Sequence, residues 1–428
     1  MLDAVELGGS NRGLWECLGL AERVQTRRPT LMRREIWPEH VVDIPHGLDD
    51  YMQVLKRAFP HESTGLEAFA RRARRVQAAF VADRDARIEG HSSDRMDPSM
   101  ADLLDCTTLE YLQRILRDPR AIAMAGSLTC YLGLGADELG AIPFLSMVGS
   151  YHGDSGSYPV GSSRAVTDAL LNQLRELGAD IRRNTPVKRI LATRGVVQGL
   201  RLADGTELRA PAVVSNAPPA HTLGSLLSPG NIHPRVVRRI QAMALGTSVL
   251  KVWLGVRSRD GSEPVDIPYE SFIRSSYGTS FTPMSLDDIA VVAPHKLDPT
   301  CAPPGHEVYS LTTGLEADPT TPGPEKVQEL VHEMLRRVEQ ALIPDLRARV
   351  VVKSVATPAT FLGFTGNPGG SIHGFRSTPR QSGPRRLGIR TPVTGLFQVG
   401  GWTYAGSGFL PALTSGVIAG RSVLREMP

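Results

Sequence analysis

The stretch Gly395-Leu396-Phe397-Gln398-Val399-Gly400-Gly401-Trp402-Thr403-Tyr404-Ala405-Gly406-Ser407-Gly408, leading into a helix expected to start near Pro411, decides how this chain is read. An apolar strand runs into a glycine-rich turn, and the turn runs into a helix. Glycine lets backbone approach a flat ligand closely. A helix start leaves N–H groups without intrahelical partners, so the arrangement suits the electron-rich end of a cofactor. Proline just inside the helix agrees with this. An ordinary strand-to-helix turn has the same outline, and one glycine-rich turn alone does not separate the two.

A second segment in mid-chain adds weight. Tyr158-Pro159-Val160-Gly161-Ser162-Ser163 leads into a helix from Arg164 to Leu177, which Gly178-Ala179-Asp180 ends. A strand is expected from Ile181 to Ile190, and further strands from Val196 to Leu202 and Glu207 to Val214, joined through Asp204-Gly205, whose residues accept the positive φ of a hairpin turn. The run closes on Val213-Val214-Ser215-Asn216-Ala217-Pro218-Pro219.

Together with the C-terminal turn, this order resembles the FAD-dependent phytoene desaturase and carotenoid isomerase family, within the amine-oxidase-like flavoproteins. Matching stretches also occur at Asp298-Pro299-Thr300-Cys301-Ala302-Pro303-Pro304-Gly305 and at Gly370-Ser371-Ile372-His373-Gly374 with Gln381 downstream. The resemblance implies FAD. It places the backbone of Val187 at the adenine edge, and Ser215, Asn216 and Ala217 at a strand end passing near the cofactor. It places Gly401, Thr403, Gly406, Gly408 and Phe409 around the ribityl chain and the isoalloxazine ring. Trp402 and Tyr404 either line the flavin or substrate channel or pack the turn. Lys251 stands where amine-oxidase relatives often carry lysine, although a lysine stem reaching from the core to water reads equally well.

The resemblance has gaps. Relatives open with a βαβ unit whose Gly-x-Gly-x-x-Gly turn holds the pyrophosphate. Here Met1 to Leu20 look like the region that follows such a unit, so the expectation is a truncated N-terminus and weak FAD binding. A separate polypeptide supplying the ADP-binding βαβ unit is then the expected partner. Gly133-Leu134-Gly135 lacks a third glycine and is not read as a dinucleotide site. Val160 and Ser162 replace the cation and the glycine usual in Tyr-Pro-Arg/Lys-Gly-Gly, which removes a positive charge expected to favour reduced flavin.

The implied fold class is α+β (α/β), with two interleaved domains. One is an incomplete FAD-binding domain of the glutathione-reductase-like type, from residues 1–48, 151–230 and 385–428. The other is a substrate domain of mixed sheet and helices, from 49–150 and 231–384. The implied activity is desaturation or isomerisation at C–C and C=C bonds of an apolar polyene or related secondary metabolite. Two alternatives are a non-catalytic or truncated homologue that binds ligand or partners a complete flavoprotein, and an amine oxidase-type flavoenzyme.

Composition is consistent with a globular chain. With 428 residues, two domains are expected. A net charge of +4 and no basic tract interleaved with aromatics argue against nucleic acid. Cys17, Cys106, Cys130 and Cys301 lie far apart, as reduced thiols do, which with the lack of a signal-like start suggests a cytoplasmic protein. The histidines form no ligand set, and His332-Glu333 lacks its second histidine, so no metal is expected. Ser155, Ser162 and Ser407 sit near glycines without a Gly-x-Ser-x-Gly elbow.

Helices are expected at Leu48 to Phe59, Leu66 to Ile88, Leu109 to Leu116 and Pro324 to Ala341, with capping boxes at Thr64/Glu67 and Thr107/Glu110. Strands are expected at Thr247 to Val256, Ile289 to Val292 and Glu307 to Thr313. The arginines of the second helix, Arg71, Arg72, Arg74, Arg75, Arg84 and Arg87, suggest either peripheral contact with anionic lipid or a solvated basic face diluted by Glu67, Asp83, Asp85 and Glu89.

Overall fold

The computed structural model describes residues 2–3, 5–6, 9–91, 97–153, 156–259, 266–404 and 406–426; Ser155 and Ala405 lie outside them. A seven-stranded sheet runs in the order Val350–Ala356, Ser248–Arg257, His306–Leu315, Asp288–Val292, Glu270–Arg274, Arg33–Ile36, Val41–Ile44. Neighbours are antiparallel except Glu270–Arg274 beside Arg33–Ile36, which are parallel. Leu250, Val252, Leu254 and Val256 alternate to one face of the long strand. There they meet Leu330, Val331, Met334 and Val338, the apolar stripe of the helix Pro324–Ala341.

On the other side of the molecule lies a helical layer made of Leu48–Ala58, Ser63–Glu89, Thr108–Ile115, Pro119–Ala125 and Ala141–Gly153. Its core centres on Leu66, Phe69, Ala73, Leu112, Phe144 and Val148, with Phe69 and Phe144 stacked at 6.0 Å between ring centres. The capping box at Thr107 and Glu110 is present in both directions. The one expected at Thr64 is not. The helix begins at Ser63, directly after a 3-10 turn at Pro60–Glu62, and Glu67 instead meets Lys56 at 2.8 Å.

The mid-chain and C-terminal segments meet in a third unit. Val213–Ser215 pairs in parallel with Leu396–Gln398, and the Gln398 amide donates to the carbonyls of Ser215 and Ala217 at 3.1 and 2.7 Å. A separate three-stranded sheet holds Val187–Thr193, Val196–Leu202 and Glu207–Arg209. Residues 181–186 are not strand, because Asn184 turns left-handed at φ 54° and Pro186 lacks a ladder N–H. Pro211 likewise divides the expected strand from Glu207 to Val214, sending its halves into different sheets. Of the segment 1–48, Arg33–Ile36 and Val41–Ile44 belong to the seven-stranded sheet and not to the unit around Leu396.

A buried ion pair joins sheet to helices. Arg33 Nε meets Glu35 Oε1 at 2.6 Å with both side chains inaccessible to water. Ser127 Oγ and Trp37 Nε1 donate to Glu35 at 2.8 and 3.0 Å, and Arg33 reaches His152 and Ser127 in the helical layer. Burial alone pushes the Glu35 carboxyl upward, but Arg33 and Arg274 outweigh it, so the group is held below the usual carboxylate range. Removing one member strands a buried charge. Glu35→Ala is therefore expected to cost about 3–5 kcal/mol in urea unfolding, and the double change Arg33→Met with Glu35→Leu clearly less than the single one.

Candidate functional site

The C-terminal strand turns sharply at Gly400, where φ is +88° and an added Cβ would lie 2.0 Å from Asn216 Oδ1. Only glycine tolerates both conditions. The turn is closed by Thr403 Oγ1 donating to the Gly400 carbonyl at 2.9 Å and by Gly400 N–H donating to Ser415 Oγ at 2.8 Å. It delivers the chain to the helix Phe409–Glu426, whose first turn opens on a cavity of about 310 Å³. Gly406, Ser407, Gly408, Phe409 and Tyr404 form one wall. Phe80, Leu132, Ile142, Pro143 and Met147 from the helical layer form the other.

The expected site residues divide accordingly. Tyr404, Gly406, Gly408 and Phe409 line this cavity; Gly401 and Thr403 sit behind them in the turn. Trp402 does not reach it. It is 5% exposed and packs edge-on against Phe375 at 4.9 Å, which leaves it a packing role. Ser215, Asn216 and Ala217 end the neighbouring strand, and Val187 begins the separate three-stranded sheet. Other matched stretches converge as well: buried Asp298 accepts from Gly161 N–H at 2.8 Å, and His373 Nδ1 lies 3.4 Å from Ser407 Oγ.

A second cavity, also about 310 Å³, lies between the helical layer and the sheet. Lys251 is here, with Glu270, Arg274, Asp287, Asp288 and His373. Tyr131 lines both cavities. Its hydroxyl donates to Glu270, as does that of Tyr151 at 2.7 Å, and burial followed by Glu270 pushes both phenols well above their ordinary pKa. Burial pulls the Lys251 ammonium down, against the opposing pull of Glu270. Burial, then Arg386, lowers His373 to about 4.

Sequence reasoning found the turn but missed Arg33, Glu35, Tyr131, Tyr151, Glu270 and Arg386. For Arg33 and Glu35 a signal existed: two opposite charges at i and i+2 of a strand share one face. Among the described residues no group of three His, Cys, Asp or Glu side chains is placed to hold a metal, and no helix is long and apolar enough to cross a membrane.

The cavity beside the turn fits a flavin. An added Cβ at Gly406 would meet nothing, so a ring can lie close to the backbone there. Tyr404 and Arg386, which both line this cavity, each carry a buried polar atom without a partner, Oη and Nε respectively. A family model for flavin-containing amine oxidoreductases matches residues 13–424. The chain belongs to this family.

It is 25% identical over 421 residues to prolycopene isomerase 1, chloroplastic, of an Oncidium hybrid cultivar, covering 93% of this chain and 70% of that protein. To prolycopene isomerase 2 of the same cultivar it is 29% identical over 281 residues, 63% of this chain and 46% of the relative. A neurosporene-forming phytoene desaturase of Rhodobacter capsulatus is 29% identical over 285 residues, 62% of this chain and 53% of that protein. The chain thus spans from about half to about two thirds of the length of these relatives. The structure of an oxidoreductase from Methanosarcina mazei superposes with a TM-score of 0.60 at 18% identity, covering 96% of this chain and 85% of that one. The two chains share a fold.

The lowered pKa of His373 sets a pH dependence. In the fold the ring stays neutral down to about pH 4, whereas in the unfolded chain it protonates near pH ~6.5. Below that pH the unfolded state binds the extra proton, so stability falls as pH drops and levels off beneath the folded value. Denaturant unfolding between pH 7 and pH 4 is expected to show this slope, and His373→Gln to make it shallower.

Proposed function

We propose that this protein is an FAD-dependent oxidoreductase acting on carbon–carbon bonds of an apolar polyene or related secondary metabolite, by desaturation or isomerisation. The observation that carries this reading is the cavity in which the glycine turn faces an apolar strip of Phe80, Leu132, Ile142, Pro143 and Met147, and in which the charged side chains among the described lining residues are Arg84 and Arg386, with no carboxylate. The names of the carotenoid isomerase and desaturase relatives support the same substrate class.

When bound, the flavin accepts or returns hydride or electrons. The chain supplies the rest. Gly406 and Gly408 let the ring approach, and the start of the helix Phe409–Glu426 directs its free N–H groups and dipole toward the electron-rich edge. Phe80, Ile142 and Met147 exclude water and hold an apolar chain against that ring. The adenosine half is assigned to Val187 and to the strand end Ser215-Asn216-Ala217. Peripheral membrane contact would aid delivery of such a substrate. The arginines of Ser63–Glu89 are nevertheless engaged in part within the protein, Arg72 with Asp102 and Arg74 with Asp49.

The second cavity favours a second reading. Its wall carries Lys251, Glu270, Arg274, Asp287 and Asp288, which is more charge than a hydrocarbon needs and is compatible with oxidation of an amine. One experiment separates the two. The chain with added FAD is incubated with a carotenoid polyene in micelles or with a primary amine. Product polyenes are resolved by chromatography, and peroxide is measured in parallel. Altered conjugation or geometry of the polyene is the expected result. Peroxide released from the amine, with the polyene unchanged, overturns the proposal. Met147→Trp, which fills the apolar wall, is expected to raise the KM for polyene by on the order of tenfold while FAD binding stays as in the wild type.

A further inference from the structure

Arg386 is 6% exposed and lies at the wall of the cavity beside the glycine turn. It donates to Ser377 Oγ at 3.1 Å and to the Gly401 carbonyl at 2.8 Å, both neutral acceptors, and its Nε has no partner. No carboxylate among the described residues pairs with it. The other buried arginines differ: Arg33 has Glu35, Arg274 has Asp288 and Arg84 has Asp85. Burial pushes the Arg386 guanidinium down to about 10, with nothing opposing it.

A charge held this way is costly, because it has given up water without gaining a counter-charge. Such a group is retained where an anion arrives. The Gly401 carbonyl ties this one to the turn itself; His373 nearby is neutral, and Arg84, the other arginine on this cavity, is paired with Asp85, so Arg386 is the cation there without a counter-charge among the described residues. Position 160, where the resembled family carries a cation, holds Val160, which lines neither cavity.

We propose that Arg386 supplies the positive charge that faces the bound flavin and favours its reduced, anionic form, in place of the cation absent at Val160. The proposal rests on the flavin reading above. It makes Arg386 a positioning and electrostatic group, with the helix start at Phe409 as its neutral counterpart on the same cavity.

The test compares the wild type with Arg386→Gln and Arg386→Lys in three measurements: thermal unfolding without flavin, FAD affinity, and the midpoint potential of bound flavin. Removing an uncompensated buried charge should leave the flavin-free Gln variant at least as stable as the wild type. Its FAD affinity should fall about tenfold. Its reduced flavin should lose a further factor of about ten relative to oxidised, which is about 30 mV for a two-electron couple. The Lys variant should keep most of both. An unchanged potential in Arg386→Gln overturns the proposal. So does a loss of flavin-free stability with FAD affinity and potential retained, since that marks a purely structural arginine. If the potential is unmoved but the KM of a polyene bearing a carboxylate rises against that of the matching hydrocarbon, the charge serves the substrate and the proposal is equally overturned. A wild-type chain that binds no flavin at all removes the reading beneath it.

Discussion

The buried pair of Arg33 and Glu35 is the joint between the sheet and the helical layer. Glu35 gathers hydrogen bonds from Ser127 and Trp37, and Arg33 reaches back to His152, so one strand of the sheet is tied to two elements of the helical layer. Ser127 continues the connection: its carbonyl accepts from Arg274, and Arg274 pairs with Asp288 directly opposite it on the adjacent strand. Pairs of this kind add little net stability compared with a well-packed apolar core. Their geometry, however, permits one arrangement of helices on sheet and penalises others. The second cavity is bounded by those same residues, Ser127, Arg274 and Asp288, and shares its position with the joint.

Much of the fold could be read from local sequence because local chemistry dictates it. The strand Leu396–Gln398, the glycine turn and the following helix are adjacent in the chain, and each step leaves its mark in residue type. The helix Pro324–Ala341 shows its period, and the box at Thr107 shows its hydroxyl and carboxylate. What failed was also local, but decided elsewhere. Thr64 has the right spacing for a cap, yet the 3-10 turn before it starts the helix one residue early. Asn184 and Pro186 interrupt a stretch whose composition otherwise suits a strand.

The site was less legible than the fold, for a physical reason. A charged residue in a sequence reads as surface, and nothing in its neighbours says that long-range packing will bury it. Glu270, Arg33 and Arg274 meet buried partners across contacts between segments more than a hundred residues apart, as Tyr151 does with Glu270, Arg33 with His152 and Arg274 with Ser127. Trp402, open in the sequence between a cofactor or channel contact and packing of the turn, lies edge-on against Phe375 within the turn that presents Tyr404 and Gly406 to the cavity.

Tyr131 lines both cavities, and its hydroxyl is held by the carboxylate of Glu270 and the hydroxyl of Tyr151. Breaking a hydrogen bond to a charged group costs about 1.5–3 kcal/mol. A guest long enough to occupy both cavities would have to meet that cost at Tyr131, so the interior as it stands offers two short compartments and not one long channel.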